Sequence, residues 1–316
     1  MPKLKCINRK MNTQIMLALL LVSILAVAFN IMPTKAILPV HNINTGLDYA
    51  TIREAIDAPE TQEGHIIKVD AGTYYECFLT ISKNGLAILG ENPDTTTIDS
   101  NATGDVVYIT ASNIRISGFT IRNGGWAGIY LNYASNNNTV IENTITGNSE
   151  YGIYADYSTN NTIRGNTVAN NGCGILLWYS SGSHIYHNNF IDNIVQVSNW
   201  ASNNTWDNGY PSGGNYWSNY TGVDTNSDGI GDTPYFIDAN NIDNYPLMKP
   251  YAALLGDLDE DRDVDEDDLW YFCAVFITYY KVHWKDPLCD FDNDCDIDED
   301  DLWTFCSAFI DYWKAH

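Results

Sequence analysis

The chain has 316 residues, of which 40 are acidic and 16 are basic, and its formal net charge is −24. Nucleic acid and anionic membrane surfaces would repel so acidic a chain, which excludes both as partners. Apolar residues make up 45% of the sequence, which excludes wholesale disorder and supports a packed core. The length suits one or two domains.

Residues 1–36 are predicted to be a signal peptide. Four positive charges precede an apolar run from Ile15 to Ile31, and small residues lie near Ala36. The run is at the lower limit of the roughly 17–25 residues that span a bilayer, so an uncleaved anchor is the alternative. In both cases residues 37–316 are expected to be extracellular or at the cell surface, and a membrane is a partner only if the segment is retained.

Residues 104–200 contain a repeat of 22–24 residues. Its aligned segments begin at residues 114, 138, 161 and 183 and read IRISGFTI, NTVIENTI, NTIRGNTV and SHIYHNNF. Each unit holds two short β-branched runs separated by Asn and Gly, which predicts strands and turns. Such a unit is too short for βαβ and fits one coil of a parallel β-solenoid. We expect Ile and Val columns to point inward, and a column of Asn143, Asn166 and Asn188 to bond coil to coil.

The stretch before the regular coils predicts a short helix. Within residues 49–60, Ile52, Ala55 and Ile56 share one helical face, and this helix would cover the open end of the solenoid. The predicted fold is therefore mostly β: a parallel β-helix over residues 37–251 with an N-terminal cap helix, followed by a small α-helical module.

These segments resemble a known superfamily. The sequence TIREAIDAPE, followed by IIKVDAGTYYE, LAILGE and the Asn-rich coils, is similar to the pectin-lyase-like right-handed β-helix proteins. Residues 206–251, which include WDNGYPSGGNYWSNY and DNYPLMKPY, resemble the end of NosD-type β-helix proteins. The resemblance implies a right-handed parallel β-helix. The superfamily includes polysaccharide lyases and hydrolases as well as non-enzymatic proteins.

Aromatic side chains recur on the predicted outer surface of the coils. The predicted carbohydrate-binding set is Tyr130, Tyr154, Asp156 and Trp178, and it lies beside an aligned column of Tyr133, Tyr157 and Tyr179. Outward rings of this kind suit stacking on a polysaccharide or on another protein. The alternative is that one column stacks internally at a corner of the solenoid.

The sequence leaves catalytic residues unassigned. A hydrolase of this fold needs neighbouring carboxylates, and no two acids of the regular coils share a column. The charged residues of the coils are interpreted as solvated: Glu142, Glu150, Asp156, Asp192, Arg115, Arg122 and Arg164. If the protein were an enzyme, it would be a polysaccharide lyase or a glycoside hydrolase. His184 and His187 are interpreted as surface histidines and not as a copper site, because no Cys or Met lies beside them.

Residues 252–316 contain two acidic loops that predict calcium as a cofactor. The loops DLDEDRDVDEDD at 257–268 and DFDNDCDIDEDD at 290–301 are offset by 33 residues. Acids at loop positions 1, 3, 5, 9 and 12 supply the oxygen ligands that calcium requires, with position 7 contributing its carbonyl. The predicted positions are Asp257, Asp259, Asp261, Asp263, Asp265 and Asp268 in the first loop, and Asp290, Asp292, Asp294, Asp296, Asp298 and Asp301 in the second. The same apolar residues follow each loop at helical spacing, which predicts a helix after each.

This arrangement resembles a type I dockerin, which implies docking to a cohesin-like protein partner. Loop positions 10 and 11, which contact the partner in that family, are Glu and Asp here instead of small hydroxyl residues. Position 6 is Arg262 or Cys295 instead of glycine. These departures affect the positions that contact the protein partner more than the positions that bind calcium.

A third acidic loop lies inside the β-helix domain. Asp224, Asn226, Asp228 and Asp232 occupy positions 1, 3, 5 and 9 of a calcium-type loop with glycine at position 6. The twelfth position is Tyr235, which cannot supply the closing carboxylate. We expect calcium here, with an Asx-rich turn as the alternative.

The cysteines predict disulfides in the C-terminal module. An even cluster in an exported module, Cys273, Cys289, Cys295 and Cys306, is typical of such bonds. Symmetry favours Cys273–Cys306 and Cys289–Cys295, although the other pairings stay open, and the spacings match no zinc pattern. Cys77 and Cys173 fall about four coils apart, too far to bridge, so both are expected to be buried thiols.

Five N-x-S/T sequons lie at Asn101, Asn137, Asn160, Asn203 and Asn219. They permit glycosylation outside the cell, although a segment rich in Asn and Thr also forms sequons by chance.

Two functions are consistent with the sequence. The first is a secreted or cell-surface protein that binds, or also processes, a polysaccharide and docks to a partner through its calcium-dependent module. The second is a non-enzymatic adhesion protein in which the solenoid is a rigid spacer.

Overall fold

The computed structural model describes residues 38–254, 256–258, 264, 268, 269, 271, 272, 291, 301 and 303–308. Contacts divide the chain into Met1–Leu38 and Pro39–His316, and the fold described below is that of the second unit. The predicted signal peptide, residues 1–36, lies outside the described residues. Where the chain is described, none of its helices is long and apolar enough to cross a membrane.

Short strands dominate the described part of the chain. In chain order the elements are β1 Val40–Asn42, β2 Leu47–Tyr49, α1 Ile52–Asp57, β3 Ile66–Val69, β4 Gly72–Tyr75, β5 Leu79–Ile81, β6 Ala87–Gly90, β7 Thr96–Asp99, β8 Val107–Ile109, β9 Arg115–Ser117, β10 Thr120–Arg122, β11 Ala127–Leu131, β12 Thr139–Ile141, β13 Thr144–Thr146, β14 Tyr151–Asp156, β15 Thr162–Arg164, β16 Thr167–Ala169, β17 Cys173–Trp178, β18 His184–Tyr186, β19 Asn189–Ile191, β20 Val195–Trp200, β21 Tyr216–Trp217, β22 Tyr235–Asp238 and β23 Asn241–Asp243. Residues 268, 269, 271, 272, 301 and 303–308 are also helical.

The strands form three long sheets that wind into a parallel β-helix of about seven coils. Sheet 1 has the order β18-β15-β12-β9-β6-β3-β1-β2, sheet 2 the order β21-β19-β16-β13-β10-β7-β4, and sheet 3 the order β20-β17-β14-β11-β8-β5. From β3 to β20 every third strand pairs in parallel with its counterpart in the next coil, which confirms the predicted parallel β-solenoid. Strand β1 pairs antiparallel with β2 and β3, and β21 pairs with β19. A two-stranded antiparallel sheet of β22 and β23 follows the last coil.

The predicted inward columns are confirmed by the strand register. One column in sheet 1 is Ile116, Val140, Ile163 and Ile185, and one in sheet 2 is Ile121, Ile145, Val168 and Phe190. All eight side chains are fully buried. Burial of this continuous apolar column is the main stabilising contribution, since one coil alone could not cover its own inner face.

The predicted Asn column also forms, as a hydrogen-bonded ladder along one corner. The side-chain oxygens of Asn143, Asn166, Asn188 and Asn215 each accept the backbone N–H of the residue one coil earlier, at 3.0–3.1 Å. These side chains are almost entirely buried, and each amide also donates to backbone carbonyls. The ladder therefore satisfies buried polar groups that a tight turn would otherwise leave without partners.

The other two corners carry ladders that we did not predict. Asn148, Asn171 and Asn193 form the second ladder by the same contact. Asn138, Asn161, Ser183, Asn204 and Asn241 form the third, with a serine hydroxyl replacing one amide oxygen. All three corners of the solenoid are thus held by side chains that bond to the backbone of the neighbouring coil.

The second ladder explains a glycine that recurs at the start of sheet 3 strands. A Cβ on Gly152 would lie 2.6 Å from the carbonyl oxygen of Gly174 and 2.9 Å from the Asn171 amide nitrogen. Gly128 and Gly174 occupy the same crowded position in their coils. Only a residue without a side chain fits beneath the ladder there.

Helix α1 lies within the stretch predicted to be helical. Thr51 caps it by accepting the backbone N–H of Glu54 at 3.1 Å, and Ile52, Ala55 and Ile56 are buried. The helix is shorter than predicted because its backbone turns away at Ala58, which adopts an extended conformation. That it closes the end of the solenoid stays a prediction.

The described cysteines follow the predictions in part. Cys306 is described as a free cysteine, and its predicted partner Cys273 lies outside the described residues, so their disulfide is not observed. Cys77 and Cys173 are free thiols four coils apart, but only Cys173 is buried, while Cys77 is half-buried. Cys289–Cys295 lies outside the described residues.

Candidate functional site

The outer surface of sheet 3 collects aromatic side chains. Because side chains alternate along a strand, the residues between the buried Ile129, Leu131, Ile153 and Ala155 point outward. Tyr108, Tyr130 and Tyr154 are direct cross-strand partners on three successive coils, in strands β8, β11 and β14. Rings that repeat once per coil follow the long axis of the solenoid.

The rings of this column are in mutual contact. Tyr130 and Tyr154 stack with their centroids 4.7 Å apart and their planes 13° apart. Tyr108 meets Tyr130 edge to face at 5.2 Å. Offset and edge-to-face pairs of this kind are each worth about 0.5–1.5 kcal/mol beyond area burial, so the rings are held rigidly before any ligand arrives.

A carboxylate lies beside the rings. The Tyr130 hydroxyl donates to the Asp156 carboxylate at 3.2 Å. Burial and the neighbouring Asp156 charge raise the pKa of Tyr130 well above its ordinary value, so its hydroxyl keeps its proton and acts as a donor. Asp156 pairs directly with Trp178 across strands β14 and β17, and Trp178 in turn lies 5.4 Å from Trp200.

The structure therefore brings the predicted set together. Tyr130, Tyr154, Asp156 and Trp178 lie on adjacent positions of one sheet. We call these residues, together with Tyr108, the aromatic face. Tyr108 was missed because its coil lacks the Gly-Ile pair that precedes Tyr130 and Tyr154, and the period-2 pattern of VVYIT around strand β8 is the signal that could have found it.

A second row of rings runs along the edge of sheet 3. Tyr133, Tyr157 and Tyr179, here called the edge ribbon, are 68%, 44% and 48% exposed. Tyr157 stacks on Tyr179 at 4.9 Å and lies 5.6 Å from Tyr133. This row is outward, and the alternative of internal stacking at a corner is wrong for it.

Some of the described charged residues form ion pairs. Across the residues that the structure describes, no three His, Cys, Asp or Glu side chains are arranged to hold a metal ion. Arg122 is paired with Asp99 at 2.9 Å; burial opposes the charged carboxylate, but its hydrogen bonds and Arg122 lower the pKa of Asp99 overall. Arg115 and Glu142 line a cleft of about 500 Å³ beside Lys68 and Glu91.

The third acidic loop closes on itself as an Asx-rich turn. Asp224 accepts the backbone N–H groups of Ser227 and Gly229 at 2.7 and 2.9 Å. Asp232 turns instead towards Thr225, whose hydroxyl and N–H it accepts at 2.6 and 3.0 Å. The alternative interpretation is thus observed, and calcium at Asp224, Asn226, Asp228 and Asp232 stays a prediction.

The two C-terminal loops share one described contact. The backbone N–H of Leu258 donates to Asp268, and the N–H of Phe291 donates to Asp301 at 2.6 Å. Both acceptors are carboxylates at the twelfth loop position, and both are at most 1% exposed. The loops therefore fold alike where they are described. The other predicted ligands, apart from Asp257, lie outside the described residues.

Comparison with known proteins places the solenoid in a family. The sequence profile described as "Periplasmic copper-binding protein (NosD)" matches residues 48–222. The chain belongs to the NosD family. A cell surface glycoprotein of Methanothermus fervidus is 34% identical over 122 residues, which are 36% of this chain and 19% of that protein. A probable ABC transporter binding protein NosD of Stutzerimonas stutzeri is 32% identical over 115 residues, 36% of this chain and 26% of that protein.

These relatives are much longer than the matched region, since the chain spans only about a fifth to a quarter of their length. A pectin methylesterase solved with a hexasaccharide is 16% identical with a TM-score of 0.36, over 53% of this chain and 60% of that one. The pectin methylesterase of Yersinia enterocolitica is 16% identical with a TM-score of 0.33, over 53% and 69%. The family is periplasmic and one relative is a cell surface protein, so the predicted extracellular or cell-surface location is confirmed.

Among the described residues, no cluster of three or more His, Cys, Asp or Glu side chains could hold the copper that the family description names. The Nε2 atom of His184 donates to the carbonyl oxygen of Asp207 at 2.9 Å, and that of His187 to the carbonyl of Ser212 at 3.0 Å. A neutral ring that donates from Nε2 carries its lone pair on Nδ1. His187 is also fully buried under the ring of Tyr251, 4.2 Å away, so its prediction as a surface histidine is wrong.

Proposed function

We propose that the protein is a cell-surface β-helix that binds a polysaccharide along its aromatic face. The observation that carries the proposal is the stacked pair Tyr130–Tyr154, held beside Asp156 and Trp178 on one outward surface. Flat rings offer the apolar side of a sugar a surface to stack on, and a carboxylate accepts its hydroxyl protons.

The spacing of the face suits a polymer. Neighbouring strands of a sheet lie about 4.8 Å apart, so rings on successive coils form a continuous track along the solenoid. Because the rings already contact one another, binding costs little additional ordering of side chains. Binding is proposed here without turnover, since the described residues place no pair of acids in catalytic arrangement beside the track.

The test is affinity electrophoresis and calorimetry of the full chain with a panel of neutral and acidic polysaccharides. We expect Tyr154→Ala and Trp178→Ala each to weaken binding about tenfold, which corresponds to about 1.4 kcal/mol. Phe236→Ala is the matched control, because Phe236 is 68% exposed on strand β22 and away from this face. Equal affinity of all three variants would refute the site, and release of oligosaccharides would show a polysaccharide lyase or hydrolase instead.

We propose further that the C-terminal module binds calcium as a dockerin-like unit and docks to a cohesin-like partner. The matched burial of Asp268 and Asp301 supports this, because both carboxylates occupy the twelfth position, at which a calcium loop carries its closing ligand. The buried Phe272 and Phe305, stacked at 4.9 Å, supply the symmetric core that such a pair of loops requires.

Calcium titration of the full chain, read by calorimetry, tests this module separately from the aromatic face. We expect two sites, one lost in Asp268→Asn and the other in Asp301→Asn, and cohesin capture that chelator abolishes. Unchanged stoichiometry in both variants would refute calcium at these loops. Two calcium sites without cohesin capture would refute the partner alone.

The second candidate function is a non-enzymatic adhesion protein with the solenoid as a spacer. The three continuous ladders favour it, because they stiffen every corner of the coil stack. Absence of binding to any polysaccharide, with the calcium module intact, would support this role over the first.

A further inference from the structure

Three of the five sequons fall on one corner of the solenoid, between sheet 3 and sheet 1. The backbone N–H of Asn137 donates to Thr159 and that of Asn160 to Ser181, while Asn203 accepts from Gly182. These contacts stack Asn137, Asn160, Gly182 and Asn203 as equivalent positions of four successive coils. We call Asn137, Asn160 and Asn203 the sequon column.

The sequon column is presented to solvent, whereas its neighbours are not. All three asparagines are exposed, and Asn137 and Asn160 adopt left-handed backbone angles with φ of 57° and 58°. Within the described residues, no hydrogen bond holds any of their side-chain amides. The adjacent Asn138 and Asn161 are buried in the third ladder instead. The amide nitrogens of the column are therefore accessible to a transferase.

The hydroxyl that a sequon requires is also accessible. Thr139, Thr162 and Thr205 follow the three asparagines by two residues. They share one outward column of sheet 1, at its edge next to the corner, and are half-buried or exposed. Asn219 differs, because its side-chain oxygen already accepts the Tyr235 hydroxyl at 3.2 Å.

An aromatic ring precedes two of these asparagines at a constant distance along the chain. Tyr157 lies three residues before Asn160, and Trp200 lies three residues before Asn203. Both rings are exposed, by 44% and 57%: Tyr157 directly follows strand β14, and Trp200 is the last residue of β20, where it pairs with Trp178. A sugar attached to either asparagine would meet a flat apolar surface at once.

We infer that Asn137, Asn160 and Asn203 are N-glycosylated, and that the first sugars at Asn160 and Asn203 pack on Tyr157 and Trp200. The donor would be an oligosaccharide activated as a lipid-linked phosphate ester. The Asn Nδ2 atom forms a bond to the anomeric carbon and loses a proton, while the bond from that carbon to the phosphate oxygen breaks and the lipid phosphate leaves. The location outside the cytoplasm supplies the compartment for this modification.

This inference assigns the rings of sheet 3 to two tasks. Tyr157 and Trp200 would cover the protein's own glycans, while Tyr108, Tyr130 and Tyr154 stay available to an external polymer. It does not depend on the polysaccharide proposal, because a glycan attached at the corner needs no ligand on the aromatic face.

The experiment is glycopeptide mass spectrometry of the full chain made in a host that N-glycosylates a reporter sequon. We expect glycan mass on the three asparagines, loss at Asn160 alone in Thr162→Ala, and retention in the matched control Thr162→Ser. Unmodified Asn137, Asn160 and Asn203 beside a glycosylated reporter would overturn the inference. So would modification confined to Asn101 and Asn219.

A second measurement tests the packing on the ring. We expect the Asn160 glycan to raise the melting temperature of the protein relative to Thr162→Ala. In the Tyr157→Ala background this gain should disappear, although circular dichroism should show the β-helix intact. A gain of the same size in both backgrounds would overturn the packing and leave only the modification.

Discussion

Replacement of Asn166 by alanine tests whether the corner ladders stabilise the solenoid. Asn166 is fully buried, and its side-chain oxygen accepts the backbone N–H of Asn143 at 3.0 Å. Its amide donates to the carbonyls of Val140 and Arg164 and to Asn188, at 2.8–2.9 Å. The substitution removes all of these bonds and leaves a small cavity.

The expected loss follows from the groups left behind. Each buried polar group without a partner costs about 1–3 kcal/mol, and the Asn143 N–H is one such group. Adding a modest cavity, we expect Asn166→Ala to lower the free energy of unfolding by about 2–4 kcal/mol. That is a large fraction of the roughly 5–15 kcal/mol that stabilises a typical domain.

Urea unfolding followed by circular dichroism and tryptophan fluorescence gives the measurement. If the two probes report the same transition, a two-state treatment is justified. This must be checked because stacked coils can also unfold in steps. Asn240→Ala is the control, because Asn240 is exposed and its side chain makes no described hydrogen bond; it should change the free energy by less than about 0.5 kcal/mol. A loss below about 1 kcal/mol in Asn166→Ala would refute the reasoning, because one unsatisfied buried group alone should exceed it.

Three further predictions concern packing and pH. Gly152→Ala should destabilise the protein by about 1–3 kcal/mol in the same urea assay, because its Cβ would overlap backbone and ladder atoms. Gly72→Ala is the control, because its Cβ would make only ordinary contacts, the nearest at 3.5 Å from the Tyr74 ring. Burial raises the pKa of Asp243 to about 7, so between about pH 4 and 7 the folded state binds a proton that the unfolded state has lost. The free energy of unfolding should therefore fall as pH rises over this range, by up to about 1.4 kcal/mol per pH unit. Asp243→Asn should abolish that slope in urea titrations at several pH values. Burial lowers the pKa of His41, but its contacts with Asp48 and Asp70 raise it overall. The stabilisation that the protonated ring gives the folded state is therefore fully present below about pH 6.5 and is lost as pH rises through the folded pKa. An NMR titration in which His41 titrates below its ordinary value would contradict this.

The regular coils were predictable from the sequence because their chemistry is strictly periodic. Apolar β-branched residues such as Val140 and Ile163 recur at the coil spacing, and an apolar column can only be buried by stacking. The Asn166 ladder followed for the same reason. The second ladder of Asn148, Asn171 and Asn193 has the same spacing as the first, and that spacing is the signal that could have found it. The third was not predicted because Ser183 replaces an asparagine in it.

The candidate site was predictable where rings align in register, as Tyr130 and Tyr154 do. Contacts that join residues far apart in the chain were not. The covering of His187 by Tyr251 depends on a segment that folds back after the last coil, where it exchanges hydrogen bonds with Asn189.

The direction of the corner ladders bears on how such a protein can lengthen during evolution. Each rung accepts an N–H from the coil before it and donates its own N–H to the coil after it, so any interior coil can be followed by a copy of itself. Only the final rung requires a different acceptor, and strand β23 supplies it through Asn241 and Asp243. Duplication of a gene segment encoding one coil would extend the molecule by about 4.8 Å and leave both ends intact. The length of the solenoid is therefore a quantity that selection can adjust in single-coil steps.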